Sequence, residues 1–153
     1  MRLVLETSTL VAAVLPGHVH HAAALPWLEF AKTRATFYGV AAHTTSECYS
    51  VLTRMPRNPK ILPREALGLL EKNVFGHAEI FTLDAAEYAE VIRRLVANSL
   101  PGAIIHDAVI ARTAELAGVD RLVTLNAKHF LKVWNGDPAQ IVSPLDAAPP
   151  TAP

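Results

Sequence analysis

At 153 residues the chain has room for one compact domain, and folding at this size hides roughly two-thirds of the surface exposed by the unfolded chain. Lys plus Arg and Asp plus Glu balance at 14 each, which excludes the whole-molecule basic footprint of a tight nucleic-acid binder. Cys48 is the lone cysteine, so no intramolecular disulfide forms; the chain reads as reduced and cytoplasmic, with Cys48 a small buried apolar residue. No apolar run approaches the ~18 residues of a membrane span.

The N-terminal MRLVLETSTLVAAVLPG is interrupted by Glu6, Thr7 and Ser8, and therefore reads as a strand and a short helix rather than a signal peptide. Leu3 to Leu5 is a fully apolar strand. Ser8 suits the cap of a helix from Thr9 to Leu15, ended by Pro16-Gly17. A second helix is expected over Val19 to Lys32, with His18, His20 and His21 at its solvated start, and a second strand over Thr36 to Val40. From Ser46 to Met55 the apolar residues Cys48, Val51, Leu52 and Met55 recur at helical spacing, which leaves Glu47 one step off the stripe and free to face a cleft.

Arg54, Arg57, Lys60 and Arg64 follow without an intervening acid, interleaved with Pro56, Pro59 and Pro63. They form a solvated loop on the plain reading and a phosphate-contacting rim near Glu47 on the sharper one. Pro63 opens a helix to about Phe75, Glu79 to Leu83 is a strand, and Asp84 caps a helix to about Ala97. After the turn at Asn98 to Gly102, a helix around Ile105 to Leu116 stops at Gly118 and carries Asp107 in its first turn. Leu122 to Thr124 is a strand, Leu125 to Phe130 a loop, and Ile141-Val142 a fifth, edge strand. Trp27, Trp134, Tyr38 and Phe130 read as core or interface residues. The domain is expected to span 1–146, with 147–153 a disordered tail.

Alternating strands and helices predict an α/β fold: a three-layer α/β/α sandwich around a mainly parallel five-stranded sheet. In such sheets ligands bind beyond the carboxyl ends of the strands, where strand order reverses. Glu6 follows the first strand and Asn126 the Leu122 strand, while Glu47 and Asp107 lie on helices able to begin at the same edge. Singly, each has an ordinary explanation: a helix-start acid for Glu6 and Asp107, a turn residue for Asn126. Together they make an oxygen-rich set suited to Mg²⁺ or Mn²⁺ rather than to zinc. Packed carboxylates raise one another's pKa and cost stability unless a cation sits between them. No His or Lys is placed in the site by spacing, so proton removal falls to water at the ion rather than to a named base. His106 points elsewhere on its helix than Asp107 on this reading.

The segments LVLETSTLVA (3–12), SECYSVLTRMP (46–56), IIHDAVIARTAELAG (104–118) and LVTLNAKHF (122–130), in that order, resemble the PIN-domain ribonucleases and specifically the VapC-like toxins of type II toxin–antitoxin systems. The resemblance runs from Leu3 to about Pro144. It implies a metal-dependent endoribonuclease cleaving RNA phosphodiester bonds, with Glu6, Glu47 and Asp107 at the positions of the family's metal-holding acids. It further implies Ser8 as support for the first acid and Asn126 where a fourth acid is often found. The first position is ordinarily Asp; Glu6 adds one methylene, roughly 1.5 Å of reach, against an ion that demands near-octahedral geometry at ~2.0–2.1 Å.

The expected partners are an RNA substrate, held in part by Arg54, Arg57 and Lys60, a cognate antitoxin and a second copy of the chain in a homodimer. The alternative is a PIN-fold module that binds RNA or antitoxin with catalysis weakened at Glu6 and Asn126. A phospho-signalling receiver would need a strand-end acid with a pocket lysine, and the sequence does not place both.

Overall fold

Leu3, Val4 and Leu5 are each 0% exposed, and they place β1 (Arg2–Leu5) at the centre of a five-stranded parallel sheet ordered β3-β2-β1-β4-β5. The structure is a computed structural model, and residues 1–151 are described. A strand buried on both faces needs no polar alternation, which is why β1 reads as one apolar run. The other strands are β2 (Phe37–Ala41), β3 (Glu79–Phe81), β4 (Arg121–Val123) and the edge strand β5 (Ile141–Val142). β1 pairs with β2 on one side and β4 on the other. Strand order therefore reverses at β1, and the carboxyl ends of β1 and β4 open side by side.

Successive side chains of a strand point to opposite faces. Leu3, Leu5, Tyr38, Val40 and Val123 pack with α1 (Thr7–Val14), α2 (His21–Thr33), α3 (Ala42–Arg54) and α4 (Pro63–Leu70) in one core. Val4, Ala41 and Leu122 pack on the other face with Ile110, Ala111 and Ala114 of α6 (Ile104–Leu116) and with Phe130 of α7 (Ala127–Phe130). Leu83 and α5 (Ala85–Ala97) close against α6 through Val91, Leu95, Ala108 and Val109. Arg94 and Arg112 strap the same two helices together, reaching Glu115 at 3.0 and 3.2 Å, and Arg112 also reaches Glu87 at 2.7 Å. The three-layer sandwich is thus present, and Trp27, Tyr38 and Phe130 are buried in it as expected.

Three element boundaries differ from the expected ones for identifiable reasons. α1 starts at Thr7 with Glu6, not Ser8, as its cap. α3 starts at Ala42, directly after β2; Thr45 and Ser46 turn their hydroxyls back onto the carbonyls of Ala42 and His43 at 2.7 and 2.8 Å, while the Thr44 hydroxyl is buried without a partner. Two of the three hydroxyl residues that discourage helix in isolation, Thr45 and Ser46, are thus satisfied within its first turns. The segment expected as a loop over Leu125 to Phe130 contains the short helix α7, whose Phe130 anchors it in the core at 0% exposure.

Beyond α4 the helix loosens into a π-helical turn, Glu71–Phe75. Ala147, first residue of the expected tail, accepts a 2.9 Å hydrogen bond from the Trp27 indole; residues 152–153 of that tail lie outside the described residues. Among the described residues no helix is long and apolar enough to cross a membrane.

Gly39 in β2 sits where a Cβ would come within 2.8 Å of Phe37 and 2.9 Å of Phe81, two rings packed 5.5 Å apart. Overpacking at such a point costs about 1–3 kcal/mol. Gly39→Ala is therefore expected to lower stability by that amount in urea denaturation, and Gly39→Ala with Phe37→Leu to recover part of it.

Candidate functional site

Glu6 leaves the end of β1 with its amide donating to Val123 of β4 at 3.2 Å, so its side chain enters at the point where strand order reverses. The carboxylate is nevertheless almost wholly enclosed, the residue being 2% exposed. One oxygen accepts from the Thr9 amide at 3.1 Å and from the Ser8 hydroxyl; the other accepts from the Ser8 amide at 3.0 Å. Glu6 is thereby the cap of α1, taking amides that the helix itself leaves without partners. Ser8 serves twice, since its oxygen also accepts the Leu125 amide at 3.0 Å and ties the loop after β4 to the first turn of α1. Burial pushes the Glu6 carboxyl above its usual range, and the bonds from Ser8, Thr9 and Thr124 oppose that rise.

Glu6, Thr7, Ser8, Glu47, Asp107 and Asn126 line one open cleft, together with His18 and His20. The four residues singled out in the sequence therefore meet at a single edge of the sheet. Glu47 is turned by Thr7, whose hydroxyl donates to one of its carboxylate oxygens at 2.7 Å. Asp107 is half-buried in the first turn of α6, with His129 3.5 Å away. Burial pushes its carboxyl up, His129 pulls it down, and the nearby Glu47 adds to the rise. Asn126 is exposed; its amide is held by the Thr124 hydroxyl at 2.8 Å, and its side chain does not cap α7. Arg54, Arg57 and Lys60 are exposed but do not line this cleft, whose wall on that side ends at Val51 and Met55.

Histidines crowd the cleft, contrary to the sequence expectation. His18 and His20 lie in the turn before α2 and line it rather than fraying into solvent. Burial depresses the His18 imidazole below its usual range, and the charges of His20 and His21 act the same way. His43 stands one helical turn before Glu47, 3.7 Å from its carboxylate, and its Nε2 lies 2.9 Å from Nδ1 of His106. His106 thus faces Glu47 across the gap between α3 and α6. His43 was missed because α3 was expected to begin after it; with α3 starting at Ala42, the i,i+4 spacing of His43 and Glu47 puts both on one face.

The oxygen donors Glu6, Glu47, Asp107 and Asn126 suit a hard divalent ion, and the elevated carboxyls of Glu6 and Asp107 are of the kind a bound cation lowers. Among the described residues, the compact group of potential ligand atoms is instead His43, Glu47 and His106, all within 4.8 Å of one another; Glu6 and Asp107 are not part of it.

The PIN domain model matches residues 3–133. Ribonuclease VapC27 of Mycobacterium tuberculosis is 30% identical over 112 residues, 73% of this chain and 76% of that protein. Ribonuclease VapC40 of the same organism is 33% identical over 119 residues, 76% of this chain and 81% of that one. Among solved structures, M. tuberculosis VapC20, described as a sarcin-ricin loop cleaving toxin, superposes with a TM-score of 0.62 at 15% identity, covering 78% of this chain and 86% of its own.

Ser8→Ala removes the hydroxyl bond to Glu6, leaving the amide bond in place, and orphans the Leu125 amide. Unsatisfied buried groups cost about 1–3 kcal/mol each, so a loss in that range is expected in chemical denaturation. A change below about 0.5 kcal/mol would mean that Ser8 does not join α1 to the β4 loop energetically.

Proposed function

Because the chain belongs to the PIN-domain family and, within it, to the VapC ribonucleases, we propose that this cleft is the centre of a Mg²⁺- or Mn²⁺-dependent endoribonuclease, the toxin of a toxin–antitoxin pair. The convergence of Glu6, Glu47, Asp107 and Asn126 on the edge where strand order reverses carries the reading. When bound, a divalent ion would supply Lewis acidity and neutralise charge on the phosphodiester. Glu47 and Asp107 would hold it most directly, Glu47 aimed by Thr7, with Asn126 at the rim. Glu6 would contribute from deeper in the cleft, where its oxygens already serve the amides of α1. His129 beside Asp107 and His18 on the wall are imidazoles within the cleft's surroundings, so proton handling need not fall to water alone.

The RNA backbone would enter over the exposed loop carrying Arg54, Arg57 and Lys60, outside the cleft itself. The antitoxin would cover the cleft, with a basic side chain directed at its carboxylates. A reducing cytoplasm fits the lone buried Cys48. Homodimerisation is supported by large apolar side chains left exposed on α4 and its π turn, Leu67 and Phe75. Sedimentation at micromolar concentration is expected to give twice the protomer mass; a single-protomer mass would count against this.

One observation favours a second reading, that of a PIN-fold module with weakened catalysis: the bonds within α1 already occupy the Glu6 carboxylate. RNA cleavage with and without Mn²⁺ separates the two. The unmodified chain is expected to cut RNA better with Mn²⁺ than Mg²⁺, because the larger ion tolerates a displaced carboxylate. Glu6→Asp should raise the Mg²⁺-dependent rate. Asp107→Asn should reduce cleavage by about 100-fold, ~2.7 kcal/mol of barrier. It should also abolish the rise in melting temperature that Mn²⁺ gives the unmodified chain, a stabilisation of about 2.7 kcal/mol at a hundredfold excess over Kd. No cleavage in either metal by either the unmodified chain or Glu6→Asp would leave the binding module.

A further inference from the structure

His43, Glu47 and His106 are set up differently from the acidic donors around them. Two imidazole nitrogens stand 2.9 Å apart, a carboxylate oxygen lies 3.7 Å from the first of them, and the three ligand atoms fall within 4.8 Å of one another. Ligands around a tetrahedral zinc at ~2.0–2.1 Å lie about 3.3 Å from each other, so the two shorter separations bracket that edge. The backbone holds the donors on rigid elements: His43 and Glu47 share one face of α3, and His106 comes from the first turn of α6.

We propose that His43, Glu47 and His106 form a binding site for a borderline transition-metal ion, Zn²⁺ in the first instance, distinct in donor chemistry from the oxygen site and sharing only Glu47 with it. Two nitrogens and one oxygen suit zinc and disfavour Mg²⁺, which takes oxygen donors. The 2.9 Å contact between the rings requires one nitrogen to donate and the other to accept. Metal entry would replace that bond: the ring now donating would carry its proton on its other nitrogen, so that both facing nitrogens offer lone pairs, and each ring would tilt from its near-parallel stacking, now 12° between planes. Thr7 supplies outer support by donating to the second Glu47 oxygen at 2.7 Å, which fixes the carboxylate as it would around a bound metal. His106 is exposed and the other two are half-buried, so the site is open to solvent and leaves a position for water.

The inference rests on the nuclease reading only for its functional consequence. An ion held by the histidine pair draws Glu47 away from the oxygen site, so Zn²⁺ should inhibit Mn²⁺-dependent RNA cleavage in the unmodified chain and do so less in His106→Ala.

The site itself is tested without RNA. Metal-stripped full-length protein is titrated with Co²⁺, whose visible absorption reports low-symmetry nitrogen and oxygen coordination, and Zn²⁺ is then added to displace it. One equivalent of Co²⁺ is expected to give a visible band that Zn²⁺ abolishes. His43→Ala and His106→Ala should each weaken Zn²⁺ binding by roughly tenfold or more, whereas Asp107→Asn, which leaves all three ligands in place, should change it less than about threefold. His106→Gln, at an exposed position with an unchanged far-ultraviolet circular dichroism spectrum, guards against loss of fold. Absence of the band, or Zn²⁺ affinity unchanged in both histidine variants, overturns the site even if cleavage persists. A band that survives in protein that cuts no RNA overturns the nuclease reading and leaves the site standing.

Discussion

The carboxylate of Glu6 joins three parts of the molecule at one point, beside the β1–β4 ladder and the Thr9 hydroxyl bond to Val123. It leaves β1 at the reversal of strand order, closes the first turn of α1 through the amides of Ser8 and Thr9, and through the Ser8 hydroxyl reaches the loop after β4. A helix that follows a strand without a loop needs its first amides satisfied at once, and an acid at the junction does this from the strand end. The same geometry fixes the cleft, since Thr7 on the next residue aims Glu47 from α3 and Leu125 leads directly to Asn126. Structural capping and a place at the site are therefore two consequences of one position.

Burial is the largest influence on both shifted carboxyls of the cleft, opposed by hydrogen bonds at Glu6 and by His129 at Asp107. Enclosure lifts Glu6, and enclosure with Glu47 nearby lifts Asp107. For an acid whose folded-state pKa is raised, the folded state holds protons more tightly than the unfolded one above the ordinary carboxylate range, so these groups favour the fold less as pH rises through that window. A cation near Asp107 or Glu47 reverses the sign by favouring the ionised form. The raised carboxyls of the cleft differ in this from Glu87 in the straps of α5 and α6, whose carboxyl the bond from Arg112 lowers.

Most of the sheet was legible because buried parallel strands write themselves as apolar runs: Leu3 to Leu5 and Leu122 to Val123 needed no partner to be recognised. That Glu6, Glu47, Asp107 and Asn126 line one cleft was legible through the strand-end rule together with the order of the matching segments; that His43 and His106, not Glu6 and Asp107, stand within 4.8 Å of the Glu47 carboxylate was not. Helix starts were harder to read. Ser8 looked like a cap because a serine before an apolar run commonly is one, yet the longer Glu6 side chain reaches the same amides from outside. In α3 the Thr44-Thr45-Ser46 stretch concealed a full helical turn, since the hydroxyl-to-carbonyl bonds of Thr45 and Ser46 are invisible without the backbone they bond to. The Arg54, Arg57 and Lys60 rim was read by proximity in sequence to Glu47; these residues are exposed beyond the cleft lining, which on that side consists of Val51 and Met55.

That hidden turn matters chemically. With α3 beginning at Ala42, His43 comes onto the Glu47 face, and α6 brings His106 opposite it. Glu47 is then flanked by imidazoles on one side, while Asp107 contributes like charge nearby. An oxygen donor placed between a nitrogen pair and other carboxylates is a branch point between soft and hard coordination, because an ion that takes the nitrogens withdraws a ligand from one that takes the oxygens. The balance follows from two helix starts, Ala42 and Ile104, that bring first-turn residues to the same gap. Sliding either helix by one residue would rotate its side chains by about 100° and separate the imidazole pair, so the grouping of His43, Glu47 and His106 depends on helix register as well as on residue identity.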